Sequence, residues 1–172
     1  MAVITAQPLG KVVLDTGPLY SALTLVFARR NPSSRNAILS KNKLLDYLRD
    51  PKAETNFLLL FNNLRTVLTT SHVIGELKGR QKLKDPYAQE FWRCAIGVLR
   101  TKSVDEKLVR LLDLPRESLD ALVPIIGPTD AGLIELAKKE QCVLLTDDGR
   151  GLARFSKAAN VKFQLVEDLV HW

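Results

Sequence analysis

The sequence is poor in residues that build covalent frameworks or soft-metal sites. It holds two cysteines, Cys94 and Cys142, far apart in the chain. That excludes a disulfide framework and a CxxC metal knuckle. Cys142 lies in an apolar run and reads as a small core residue. Only two histidines occur, His72 and His171, and they do not form HExxH, so a zinc hydrolase would lack its ligands. No GxGxxG follows the first apolar run, which removes the dinucleotide-binding fingerprint. Long hydrophobic runs are missing as well: 19–28 and 57–61 are too short to span a bilayer. The N-terminus has no basic region followed by a long apolar core, so no signal peptide is expected and the expected location is the cytoplasm. No repeat, low-complexity tract or linker divides the chain, so residues 1–172 read as one domain.

Positive charge is in excess. Lys and Arg number 25 against 19 Asp and Glu, a net charge of +6. This balance leans toward an anionic partner, most commonly nucleic acid. A basic surface kept for solubility would look the same.

Two stretches organise the rest. Lys11-Val-Val-Leu-Asp15-Thr-Gly-Pro18 and Gln141-Cys-Val-Leu-Leu-Thr-Asp147-Asp148-Gly149 are short apolar runs that end in carboxylates and a turn. Such runs read as buried strands of a parallel sheet. Paired side by side, they would bring Asp15 and Asp148 to one edge. Sites in open α/β sheets form outside the carboxyl ends of the strands.

Between them the pattern is mostly helical. Pro18 suits a helix start after Asp15. A polar helix is expected near 38–48. Phe57, Leu60, Phe61, Leu64 and Leu68 follow helical spacing, so an amphipathic helix is expected through 68. Leu58 and Leu59 widen its apolar face, which raises core packing or a homodimer surface as its use. Thr69-Thr70-Ser71 offers caps for a helix from 72 to about 81. Tyr87 to about Leu99 reads as helix, and 103–114 is ambiguous. Gly127-Pro128 stops the chain before a helix from 130 to 140, in which Asp130 shares a face with Leu133, Ile134 and Ala137. A strand at 161–165 and a short helix at 166–170 close the chain. Helices alternating with short apolar strands give an α/β sandwich around a mostly parallel sheet.

Four carboxylates stand out: Asp15, Glu76, Asp130 and Asp148, with Asp147 beside the last. Each has a plain structural reading as a turn residue, a helix-end residue or, for Glu76, a partner of His72. Clustered at one edge they would repel, and burying them without cations is costly. Hard divalent ions such as Mg²⁺ or Mn²⁺ prefer such oxygens.

The stretches Val12-Val-Leu-Asp15-Thr-Gly-Pro-Leu19, Ser71-His-Val-Ile-Gly-Glu76-Leu, Thr129-Asp130-Ala-Gly-Leu-Ile-Glu-Leu-Ala137 and Val143-Leu-Leu-Thr146-Asp-Asp148-Gly resemble, in order, the motifs of PIN-domain nucleases. The resemblance covers nearly the whole chain. It implies a three-layer sandwich in which Asp15, Glu76, Asp130 and Asp148 converge and hold Mg²⁺ or Mn²⁺, with Asp147 in an assisting place. It implies endoribonuclease activity that leaves a 5′-phosphate and a 3′-hydroxyl. The family includes toxin ribonucleases restrained by a small antitoxin, which adds that protein to RNA as an expected partner. Arg80, Lys82, Lys84 and Arg150 are candidates to hold the RNA backbone. The alternative is a catalytically silent PIN-like module that binds RNA or protein. A receiver domain would carry its paired acids early in the chain. A dehalogenase-type phosphatase would carry an acid where Gly17 stands.

Overall fold

The computed structural model describes residues 9–42 and 46–171. The readings made for residues 1–8, and for 43–45 of the helix expected at 38–48, lie outside the described residues. Five strands form one sheet: β1 (Lys11–Leu14), β2 (Thr66–Thr70), β3 (Asp105–Lys107), β4 (Val143–Thr146) and β5 (Phe163–Leu165). Their order is β3-β2-β1-β4-β5, and every pairing is parallel. Val12 and Val13, Val67 and Leu68, and Leu144 and Leu145 are all buried. Both faces of the central strands are therefore covered, which is why they read as continuous apolar runs. The edge strand β3 is Asp-Glu-Lys, a charged sequence that discourages further pairing.

Helices complete an α/β three-layer sandwich. The first, α1 (Thr16–Arg30), is buried nearly all round because it packs against several other helices as well as β4. Among its neighbours are α2 (Arg35–Lys41), α3 (Pro51–Asn63), α4 (Ser71–Arg80) and α5 (Tyr87–Thr101). After β3 come α6 (Arg116–Ala121) and α7 (Val123–Lys139). The latter lies against β1, β2 and β4. It is bent at Gly127, where φ is +84° and Pro128 follows. Only glycine adopts that φ readily. The chain is helical again from Pro128, slightly earlier than the sequence suggests. Two short helices, α8 (Leu152–Ala158) and α9 (Val166–Val170), flank β5.

One expected boundary is wrong. The helical spacing of 57–68 does not continue past Asn63, and Leu68 is in β2. Thr66-Val-Leu-Thr-Thr is rich in β-branched residues, and its burial between β1 and β3 overrides the accidental helical register of Leu64 and Leu68. The rest of that helix forms as its caps dictate: Asp50 accepts from the Lys52 amide at 3.1 Å and Pro51 takes the first position. Leu58 is buried, whereas Leu59 is 55% exposed. Among the described residues no helix is long and apolar enough to cross a membrane.

Candidate active site

The sheet order turns at β1 and β4, since β2 lies to one side of β1 and β4 to the other. A crevice opens at such a switch point, beyond the carboxyl ends of the two strands. Asp15 directly follows β1, and Asp147-Asp148 directly follows β4. A cavity of about 330 Å³ lies there, lined by Asp15, Glu76, Arg80, Ile126, Gly127, Pro128, Thr129, Asp130 and Asp148. The four acids named from the sequence thus share one cavity, although they come from β1, α4, α7 and the end of β4.

Each acid is held by its own local structure. Asp15 caps α1: its Oδ1 accepts from the Thr16 amide. Its Oδ2 accepts from the Thr146 hydroxyl at 2.8 Å. The Thr146 oxygen in turn accepts from the Asp148 amide at 3.0 Å. Glu76 stands on α4 and its Oε2 accepts from the Thr16 hydroxyl at 2.8 Å. Thr16 and Thr146 are fully buried side chains with polar work inside the site. The expected pairing of Glu76 with His72 is absent. His72 Nε2 instead lies 3.0 Å from the carbonyl oxygen of Val109. Asp130 sits in the first turn after the Gly127 bend. Asp148 turns its carboxylate to the start of α8, where Oδ1 accepts from the amides of Gly151 and Arg150 and Oδ2 from that of Leu152.

The charges are poorly compensated. Burial, followed by the neighbouring Asp15, Glu76 and Asp148, pushes the Asp130 carboxyl up to about 7. Burial also raises Asp15, against the stabilising bonds from Thr146 and Thr16. Arg80 is the one cation that lines the cavity among the described residues, and its charge favours ionisation of both. The other basic candidates divide. Arg150 belongs to the turn that holds Asp148. Lys82 donates to the Gly79 carbonyl at 2.7 Å, and neither it nor Lys84 lines the cavity.

Asp147 has a different setting from Asp148. Its Oδ1 accepts from the Tyr47 hydroxyl at 2.5 Å, and it does not line the cavity. Burial pushes its carboxyl up to about 7, with repulsion from Asp15 and Glu167 added and the Tyr47 bond opposing. Its Oδ2 is buried and has no hydrogen-bond partner among the described residues. Burial and the adjacent Asp147 raise the Tyr47 phenol in turn. Tyr47 had no signal in the sequence: it lies one hundred residues away, in a turn of 3-10 helix over Asp46–Arg49. Thr16 and Thr146 were visible as members of the quoted motifs, but nothing in the spacing marks a hydroxyl as an orienting group.

The donor set suits a hard divalent ion in kind, since four carboxylates face the cavity with no nitrogen or sulfur ligand among them. Burial lifts Asp130 first, and repulsion from Asp15, Glu76 and Asp148 adds to it; a bound cation would offset both. The acids do not stand as a closed cage: among the described residues no three His, Cys, Asp or Glu side chains are arranged to hold an ion. Compared with protein-family models, curated proteins and solved structures, the chain matches none.

Proposed function

We propose that this protein is a Mg²⁺- or Mn²⁺-dependent endoribonuclease of the PIN type. The observation that carries the reading is the shared cavity: four acids from distant parts of the chain, with one arginine, meet at the switch point of a parallel sheet. Ordinary folding gives no reason to gather four carboxylates there, because they destabilise one another.

Asp15, Glu76, Asp130 and Asp148 would hold the ion. When bound, it supplies Lewis acidity for activating water and for offsetting the departing oxyanion. The chain's own residues do the positioning. Thr146 and Thr16 fix Asp15 and Glu76 through their hydroxyls. Arg80, on the same wall as Glu76, is suited to bind a phosphate of the substrate. The Asp130 carboxyl, raised to about 7, titrates near neutral pH in the metal-free protein and would shift toward its ionised form as the ion binds. The net charge of +6 favours a polyanionic substrate without reading its sequence. The resemblance extends the proposal to a 5′-phosphate product and to a small antitoxin as regulator. The exposed Leu59 on α3 is the residue we would place in a homodimer contact.

One observation favours a second reading, a PIN-like module that binds RNA or protein without cleaving it. The Asp148 carboxylate already accepts three backbone amides, as a purely structural acid would. Thermal denaturation at pH 7.5 separates the two. The nuclease reading expects millimolar Mn²⁺ to raise Tm by mass action, and Asp15→Asn to remove the rise. A Tm indifferent to Mn²⁺ and Mg²⁺ favours the silent module.

A further inference from the structure

Asp148 is exposed, yet its carboxylate is the most heavily bonded of the four acids. The Gly151 amide donates to Oδ1 at 2.8 Å, the Arg150 amide to Oδ1 at 3.2 Å and the Leu152 amide to Oδ2 at 3.1 Å. The Asp148 carbonyl also accepts from the Ala153 amide at 2.9 Å. The acid is thus folded back onto the first residues of α8.

This closeness has a steric condition. A Cβ at position 151 would stand 2.2 Å from Asp148 Oδ2 and 3.1 Å from its Cγ. No side chain can share that space with the carboxylate in its present place. The demand is for room and not for a positive φ, which is −92° at Gly151. Gly149 differs: a Cβ there would meet the Leu165 side chain at an ordinary 3.4 Å.

We infer that Gly151 is a positioning residue for the fourth acid, its missing side chain allowing three amides to fix the Asp148 carboxylate at the cavity. The inference rests on the metal-dependent reading above. An exposed aspartate otherwise samples several rotamers, and that freedom would be lost on binding an ion. Held by the backbone, the carboxylate loses it on folding instead, which is preorganisation. A carboxylate offers about four lone-pair positions. Three amides occupy three of them, so a clamped Asp148 still has one to give.

The test is Mn²⁺ binding by the full chain, read from the loss of the free-ion electron paramagnetic resonance signal. Gly151→Ala should weaken Mn²⁺ binding about 10–100-fold, the range for loss of a group that orients a ligand. Gly149→Ala should leave it unchanged. On an Asp148→Ala background, Gly151→Ala should add little, because the group it displaces is gone. Unchanged affinity in Gly151→Ala overturns the positioning role and leaves the metal reading intact. A wild-type protein that binds no Mn²⁺ overturns both. Amide hydrogen exchange tests the clamp without a glycine variant. Amides 150–152 should exchange more slowly in the wild type than in Asp148→Ala, and equal rates overturn the clamp.

Discussion

The Thr146 hydroxyl donates to Asp15 Oδ2 at 2.8 Å across 131 residues of sequence, and its oxygen accepts from the Asp148 amide at 3.0 Å. One buried side chain therefore ties the acid after β1 to the acid after β4. Thr146→Val removes both bonds at constant shape and leaves buried polar groups unpaired. The expected cost is about 1–3 kcal/mol in denaturant unfolding. Thr146→Ser, which keeps the hydroxyl, should recover most of it. If valine and serine are equally stable, the tie contributes nothing.

The pH dependence of the metal-free protein follows from Asp130. Its carboxyl is raised from 3.8 to about 7, with burial as the first cause. The folded state therefore binds more protons than the unfolded state between those values, and stability falls as pH rises through 7. Below about pH 4 both states are protonated and the group's contribution to stability is complete. Allowing for screening at a partly exposed site, we expect a loss of about 2 kcal/mol between pH 5 and 8. For a chain of this size that is about 4–8 °C in Tm. Asp130→Asn should flatten the slope, leaving the part due to the other raised acids, Asp147 and Asp15. A slope unchanged by Asp130→Asn would show that this carboxyl does not carry the effect.

Arg80 is expected to act on RNA and on the acids together. Arg80→Ala should weaken binding of a single-stranded RNA and lower the slope of log affinity against log salt by about 1, the value for one lost phosphate contact. It should also lower metal-free Tm, because the cavity loses the cation that favours ionised Asp15 and Asp130. Lys84→Ala, away from the cavity, should change the salt slope less. Equal slopes for the two variants would remove Arg80 from the site.

Asp147 and Asp148 should separate by mutation. Tyr47 donates to Asp147, which does not line the cavity that Asp148 lines. Asp147→Asn is expected to retain most cleavage activity, and Asp148→Asn to lose most of it. Tyr47→Phe should destabilise the fold by about 1–3 kcal/mol, since it removes the hydroxyl that donates to Asp147, whose other oxygen is buried with no partner among the described residues. Equal activity losses at 147 and 148 would mean that both acids serve the reaction.

Much of the candidate site could be read from the chain because strand ends announce themselves. Apolar runs closing in Asp15 and in Asp147-Asp148 are local patterns, and parallel pairing turns them into a shared edge. Asp130 was legible from its place on the apolar face of a helix, and Glu76 more weakly, as one of four acids whose role came with the resemblance. The end of α3 was not legible, because Leu64 and Leu68 kept the helical spacing while strand pairing decided their conformation. Nor were Tyr47 and the Asp148 clamp, the first set by contact over one hundred residues and the second by a Cβ that Gly151 lacks. The His72–Glu76 pair failed for a related reason. Thr16 and the Val109 carbonyl, both distant in sequence, compete for those side chains and win.

Asp15 is the centre of the proposed site, so its charge gives the most direct test. Asp15→Asn keeps a side-chain oxygen for the cap of α1 and removes one repulsive charge, which offsets the bond that Oδ2 accepts from Thr146, so the fold should be retained. The decisive measurement is single-turnover cleavage of a single-stranded RNA, with purified wild type and Asp15→Asn, in Mn²⁺ and in excess chelator. Cleavage by the wild type only, in Mn²⁺ only, is the expected result. Cleavage that persists in Asp15→Asn or in chelator, or no cleavage by a wild type that has bound Mn²⁺, contradicts the four-acid nuclease site.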